Sequence, residues 1–310
     1  STLLASSAAS DVYKRQVVTT VCNMSCIYCQ ANNGVESSYL IMNKEMAEKA
    51  VDIALQSPEQ SLCFEFQGGE PLVNYDIIKH IVQYAEIHKE NHEIAYTVVT
   101  NLTLLNDEML DFFVQYSFGI STSVDGSELV HNNNRPYADG SGTFKKVINS
   151  VERVRKAGLQ VGAIETTTRF SLNFPKEIVH TYVDMGFESI FIRPLTPLGK
   201  AAKGWEKIGY SSEEFIEFYQ QALDELIEIN KAGRFIKEDH AAILLRRIRG
   251  DFMNYMELRS PCGAGVGQLA YYADGNIFTC DEGRMLHEMG QSTFQLGNVY
   301  NNTYADLINN

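Results

Sequence analysis

The chain has 310 residues, 45% of them hydrophobic, and its 39 acidic against 26 basic side chains give a formal net charge of −13. At roughly 150 residues per domain this allows one large domain, or a large one plus a small one, with enough interior to fold without disulfides or a structural metal. The acidic excess argues against sequence-independent nucleic-acid binding and against anionic membranes, and no apolar run approaches the roughly 18 residues of a transmembrane helix.

Ser1 to Gln16 reads STLLASSAASDVYKRQ and lacks the basic start and apolar middle of a signal peptide. Its DVYKRQ end resembles a translated transposon end used in preparing sequencing libraries. Residues 1–16 are therefore expected to be an assembly scar outside the fold. From Val17 onward, short strand-like runs alternate with amphipathic stretches of helix length. The strand candidates are Val17–Val21, Leu62–Phe66, Ile94–Thr100, Phe118–Val124, Gln160–Thr166 and Ser189–Arg193, nearly continuous in apolarity as strands buried on both faces should be. Asn43, Asn74 and Asn106 stand where helix N-caps are wanted, Thr143 opens another helix, and Pro175 begins a fifth. Repeated strand–helix alternation means a parallel sheet, open or rolled into a barrel. After Pro197 the rhythm breaks into a long helix over Ser211–Ala232, another near Asp239–Arg249, and a Gly-rich segment with a probable hairpin turn at Asp274-Gly275. Asn298 to Leu307 starts a last helix with no terminating signal, so the two ends together read as those of a fragment.

Three of the six cysteines, Cys22, Cys26 and Cys29, sit together as CNMSCIYC after the first strand. A disulfide pairing would leave one of them over, and a zinc site would lack its fourth ligand nearby. Three thiolates with gaps of three and two residues suit a 4Fe–4S cluster with one iron left open. Downstream lie Gln67-Gly68-Gly69-Glu70-Pro71 after the second strand, Thr100-Asn101-Leu102-Thr103 after the third, and Ser123 and Asp125 at the fourth.

Spacing and order together resemble the radical S-adenosylmethionine (SAM) superfamily. The resemblance implies that Cys22, Cys26 and Cys29 hold the cluster, with Tyr28 as the usual aromatic before the last cysteine. It implies that Gln67, Gly68, Gly69, Glu70 and Pro71 form the turn that takes the SAM amino group. Ser123 then meets the ribose, Asp125 faces substrate, and Ile192 lies along the adenine. Arg135 is placed either to fork onto the SAM carboxylate or to tie its own loop. Leu102 departs from the pattern, standing where Gly is common.

Cys262, Gly275 and Cys280 are similar in spacing to the opening of a SPASM or twitch extension, which carries an auxiliary 4Fe–4S cluster. Two cysteines alone cannot complete that cluster. Asp281 resembles a base used by sulfatase-maturase relatives, or is a solvated turn carboxylate. By this resemblance the fold is α/β, a partial (β/α)6 TIM-like barrel with the start of a SPASM/twitch domain. The expected division is 17–200 for the barrel, 201–255 for a helical connection and 256–310 for the extension. The implied activity is reductive cleavage of SAM in the cytoplasm, with hydrogen abstraction from a peptide substrate. A reductant such as flavodoxin or ferredoxin would serve it, and neither nucleic acid nor membrane would be a partner. The stretch from Cys262 to Leu286 looks most like the His-Xaa-Ser peptide maturation system, in which a second radical SAM maturase is a partner. The alternatives are a formylglycine-forming sulfatase maturase and, from another class, an iron–sulfur electron carrier or scaffold that never cleaves SAM.

Overall fold

The computed structural model describes residues 12–31, 39–251 and 262–309. The chain begins with β1 (Val12–Thr19), followed by α1 (Lys44–Ala54), β2 (Ser61–Gly68), α2 (Tyr75–His88), β3 (Glu93–Val99), α3 (Asp107–Gln115) and β4 (Gly119–Ser123). Then come α4 (Glu128–Asn134), α5 (Phe144–Lys156), β5 (Val161–Thr166), α6 (Pro175–Asp184) and β6 (Ser189–Arg193). Among the described residues, β1 to β6 pair in consecutive parallel order, the strand–helix arrangement expected of the barrel half. The chain continues with α7 (Gly199–Ile208), α8 (Ser212–Lys231), β7 (Lys237–Glu238) and α9 (Asp239–Ile248). It closes with β8 (Gln268–Tyr271), β9 (Asn276–Phe278), α10 (Asp281–Glu288), β10 (Gln295–Asn298) and α11 (Tyr304–Ile308). Strand β7 adds in parallel beside β6, while β8 adds in parallel to the free edge of β1 and carries the antiparallel β9 and β10 outward.

Alternation along each strand sorts side chains between two layers. Phe64, Phe66, Tyr96, Val98 and Phe118 join Ile78, Ile81, Phe112 and Phe113 of the flanking helices in the main apolar core. The intervening Glu65, Gln67 and Thr97 take the opposite, polar face. Asn43 and Asn106 cap α1 and α3 as expected, accepting from the backbone N–H of Met46 and Met109 at 2.9 Å. Asn74 does not cap. The 3₁₀ turn Pro71–Asn74 runs straight into α2, and the Asn74 amide instead donates to the carbonyls of Val18 and Met42.

Two expectations change. Strand β1 starts at Val12, so five residues of the segment set aside as a scar belong to the sheet, paired with β2 on one side and β8 on the other. Backbone pairing accommodates any side chain, but these fit poorly. Lys14 and Gln16 are fully buried, and the Lys14 ammonium and both Gln16 amide atoms have no hydrogen-bond partner among the described residues. The last helix, in turn, is capped by Thr303, while Asn298 ends β10.

Candidate functional site

The cysteine loop leaves β1 at the end of the sheet where the other strands also finish. The 134–137 segment zips onto it: Ser25 donates to the Pro136 carbonyl at 2.8 Å, Ile27 to that of Asn134 at 2.9 Å, and Met24 bridges Tyr137. Burial pushes the Cys22 thiol up to about 12 and the Cys26 thiol up to about 11. Left bare, both stay protonated at neutral pH, and a metal is the usual means of holding such groups as thiolates. No group of three or more His, Cys, Asp or Glu side chains among the described residues converges on one metal ion. In a polynuclear cluster each thiolate binds a different iron, so the three sulfurs need not meet at one ion.

The glycines of the Gln67–Pro71 turn serve the backbone itself. A Cβ on Gly68 would lie 2.4 Å from the Thr19 carbonyl oxygen, and one on Gly69 would lie 2.4 Å from that of Val21. The turn is thereby pressed against the entrance of the cysteine loop, with Gly69 N–H donating to Thr19 and Glu70 N–H to Val21. Glu70 already serves its own chain. Its carboxylate accepts from the Leu72 N–H and the Thr100 hydroxyl on one oxygen and from the Asn101 N–H at 2.7 Å on the other. It staples the second-strand turn to the third-strand turn. Pro71 is buried and opens the 3₁₀ turn, and Gln67 donates to Glu65. The third-strand turn continues the network to the cysteines. Asn101 donates its amide to Asn23 at 3.0 Å and to the Cys22 sulfur at 4.0 Å, and Asn23 donates to Thr103. Leu102, the departure from the pattern, has φ 60° and is fully buried. The backbone there takes the left-handed form that Gly adopts freely.

Tyr28, Asp125 and Arg135 find one another. The Tyr28 hydroxyl donates to Asp125 at 3.0 Å and accepts from Arg135 at 2.8 Å, all three buried. Burial raises Asp125 to about 6, with Arg135 and Tyr28 opposing the shift. Arg135 is a tie between the cysteine loop and β4, yet among the described residues its Nε remains buried without a hydrogen-bond partner, so the group keeps a donor for a ligand. His131 braces it from behind. Its Nδ1 accepts from the Asp125 N–H, and its Nε2 faces the Thr143 hydroxyl, which donates to the Arg135 carbonyl. Burial lowers the His131 pKa and keeps the ring neutral. Ser123 ends β4, half-buried. Ile192 sits apart from these. Its side chain is fully buried in the main core and its N–H donates to Glu238, so the only surface it could lend a ligand is its own main chain.

At the far edge, Cys280 caps α10, its sulfur accepting from the Gly283 N–H at 3.3 Å. Cys262 is exposed, three residues before Gly265, whose N–H donates to the carbonyl of Thr279. Asp281 is no solvated turn carboxylate. It is buried, and its Oδ1 accepts Nε and Nη2 of Arg284 at 2.9 and 2.7 Å. Burial works to raise its pKa, but Arg284 and Arg15 outweigh it and hold the carboxyl below its usual range. Its Oδ2 lies 3.9 Å from Arg15, which pairs with Glu65 on the polar face of the sheet. Composition could not show Arg284 as a partner of Asp281, although the i, i+3 spacing on a helix start was available as a signal.

A family model, the Radical SAM superfamily, matches residues 17–185. The chain belongs to that superfamily. A radical SAM member works with a 4Fe–4S cluster and SAM, and the three-cysteine loop with its adjoining turn is where this chain would hold them. An uncharacterised protein of Methanocaldococcus jannaschii is 30% identical over 183 residues, covering 59% of this chain and 62% of that protein, so the chain spans somewhat under two thirds of that relative. The cysteine-type anaerobic sulfatase-maturating enzyme of Clostridium novyi is 23% identical over 93% of this chain and 76% of its own. Among solved structures, native anSMEcpe with bound AdoMet superposes with a TM-score of 0.80 at 22% identity, covering 96% of this chain and 81% of that one. Streptococcus suis SuiB bound to its precursor peptide SuiA gives 0.64 at 17%, covering 97% and 64%. These likenesses show a shared fold over nearly the whole of this chain. No helix among the described residues is long and apolar enough to cross a membrane.

Proposed function

We propose that this protein cleaves SAM reductively and abstracts hydrogen from a peptide substrate, as a maturase of a ribosomally synthesised peptide. The observation that carries the reading is the three-cysteine loop locked between the Gly68–Glu70 turn and the Tyr28–Asp125–Arg135 group. The cluster and SAM, when bound, supply the electron and the 5′-deoxyadenosyl radical. The chain's own residues do the rest. The Gly68–Gly69 carbonyls orient an amino group, Arg135 Nε is open to a carboxylate, and the buried walls exclude water. Cys262 and Cys280 would contribute to an auxiliary cluster with ligands beyond this pair. Asp281, with Oδ1 held by Arg284 and Oδ2 3.9 Å from Arg15, is the candidate base, and both arginines lower its proton affinity.

The sulfatase-maturating relative supports a second reading, formylglycine formation on a protein Cys or Ser. The buried, ionised Asp281 serves either one. Fragmentation and carbonyl trapping of the modified peptide separate them, since formylglycine is an aldehyde on one residue and a crosslink joins two. Intact mass alone sets apart only the Cys reaction, in which oxygen replaces sulfur. Anoxic reconstitution followed by dithionite and SAM tests the shared step, with 5′-deoxyadenosine as the product expected. A chain that keeps and reduces its cluster yet forms none would be an electron carrier or scaffold, and the proposal would fail.

A further inference from the structure

The first turn of α7 touches the cysteine loop from outside the barrel. The Lys200 N–H donates to the Cys29 carbonyl at 2.9 Å and its ammonium to the Ser25 hydroxyl at 3.2 Å, so one residue grips the loop on either side of Cys26. The preceding residue, Gly199, donates its N–H to the Met289 sulfur at 3.4 Å, tying the same turn to the end of α10, the helix that Cys280 caps. A lysine in the first turn of a helix opposes the positive end of the helix dipole, and α7 has no acidic residue there to offset it. Lys200 forms no ion pair among the described residues. Arg135, the other cation near Cys26, is already shared with Tyr28 and Asp125. An uncompensated charge held against a loop of thiolates at a helix start that disfavours it calls for an anionic group in the loop.

We propose that Lys200 is a positioning residue for the cysteine loop and supplies the cation that raises the reduction potential of the cluster held there. A positive charge close to the cluster stabilises the reduced, more negative state, and hydrogen bonding and net charge around the sulfurs are known levers on such potentials. The inference rests on the cluster assignment.

The test is a mediated potentiometric titration of the reconstituted full chain without SAM, followed by electron paramagnetic resonance, with iron and sulfide counted in parallel. Lys200→Met should keep its iron, while its equilibrium constant for one-electron reduction falls at least tenfold, 59 mV for a one-electron couple. Lys200→Arg should stay within twofold of wild type. If Lys200→Met loses iron, Lys200→Gln, which keeps a donor for Ser25, is read in its place. Loss of iron in both neutral variants but not in Lys200→Arg also supports the need for charge. A neutral variant with full iron and an unchanged potential overturns the proposal, as does loss of iron in Lys200→Arg. A wild-type chain that takes up no iron overturns the cluster assignment, and the proposal with it.

Discussion

Cys22, Cys26 and Cys29 lie in a loop bonded to the 134–137 segment, to the Gly68–Glu70 turn and to α7, whereas Cys262 is exposed and Cys280 does little more than cap α10. The difference teaches what each region contains. Around the first group, neighbouring turns satisfy one another: Glu70 takes three donors, Asn101 and Asn23 pass a hydrogen bond from the third-strand turn to the loop, and Tyr28 is shared by Asp125 and Arg135. Such a network fixes the loop before any ligand arrives. Around the second group the ordering is that of a hairpin and a helix start. The seam between the two regions, β1 against β8, is poorly satisfied, with Lys14, Gln16 and Gln268 each burying a polar atom that has no hydrogen bond among the described residues.

The largest effect should come from Cys26→Ala, which is expected to lose the first cluster's iron and all 5′-deoxyadenosine. Cys280→Ala should lose neither. Equal loss of iron in the two variants would erase the contrast between the regions.

Glu70→Ala should come next, because it leaves the Thr100 hydroxyl and the Leu72 and Asn101 amides without their acceptor. A loss of about 3 kcal/mol in urea unfolding is expected, and a loss near zero would mean the turns hold together without the staple.

At the seam the Lys14 ammonium lies 4.6 Å from the centre of the Tyr304 ring but makes no hydrogen bond among the described residues. Lys14→Met should stabilise by about 1–3 kcal/mol, the usual cost of a buried polar group without a hydrogen bond. Burial lowers the Lys14 pKa from 10.5 to about 7. Below pH 7 the folded and unfolded chains both bind the proton and the cost is full. Between 7 and 10.5 the unfolded chain holds a proton that the folded chain has released, so wild-type stability should rise with pH across that window. Lys14→Met should flatten that rise, and an identical pH slope in the variant would show that Lys14 is not its source.

Leu102→Gly sets two opposing effects against each other. Relief of the left-handed backbone is worth about 1 kcal/mol, and loss of the buried side chain costs about 2–5 kcal/mol. A net destabilisation of about 1–4 kcal/mol in thermal unfolding is expected, and net stabilisation would mean that backbone strain dominates there.

Much of the barrel was legible because strands buried on both faces and capped helices leave strong local signals. Ser189–Arg193 coincides with β6, and Asn43 and Asn106 cap as their positions demand. The cysteine triplet was legible for the same reason, since its chemistry lies in short spacing. Long-range relations were not. That Glu70 is consumed by Thr100 and Asn101, that Arg135 meets Tyr28 across 107 positions, and that Lys200 reaches back 175 positions to Ser25 depend on how parallel strands align their ends. Helix α7 was missed because Gly199 and Gly204 weaken its propensity, and packing of Ala201 and Trp205 against Tyr28 and Leu195 compensates. The start of β1 was misplaced because strand pairing acts through the backbone, and the polar Lys14 and Gln16 concealed it.

The most direct test of the account is 5′-deoxyadenosine formation by the Cys262→Ala/Cys280→Ala double variant, reconstituted anoxically and given dithionite and SAM. If the first cysteine region carries SAM cleavage by itself, the variant should match the wild-type rate within about twofold and retain the signal of the first cluster. A variant that retains that signal but forms no 5′-deoxyadenosine would contradict the account.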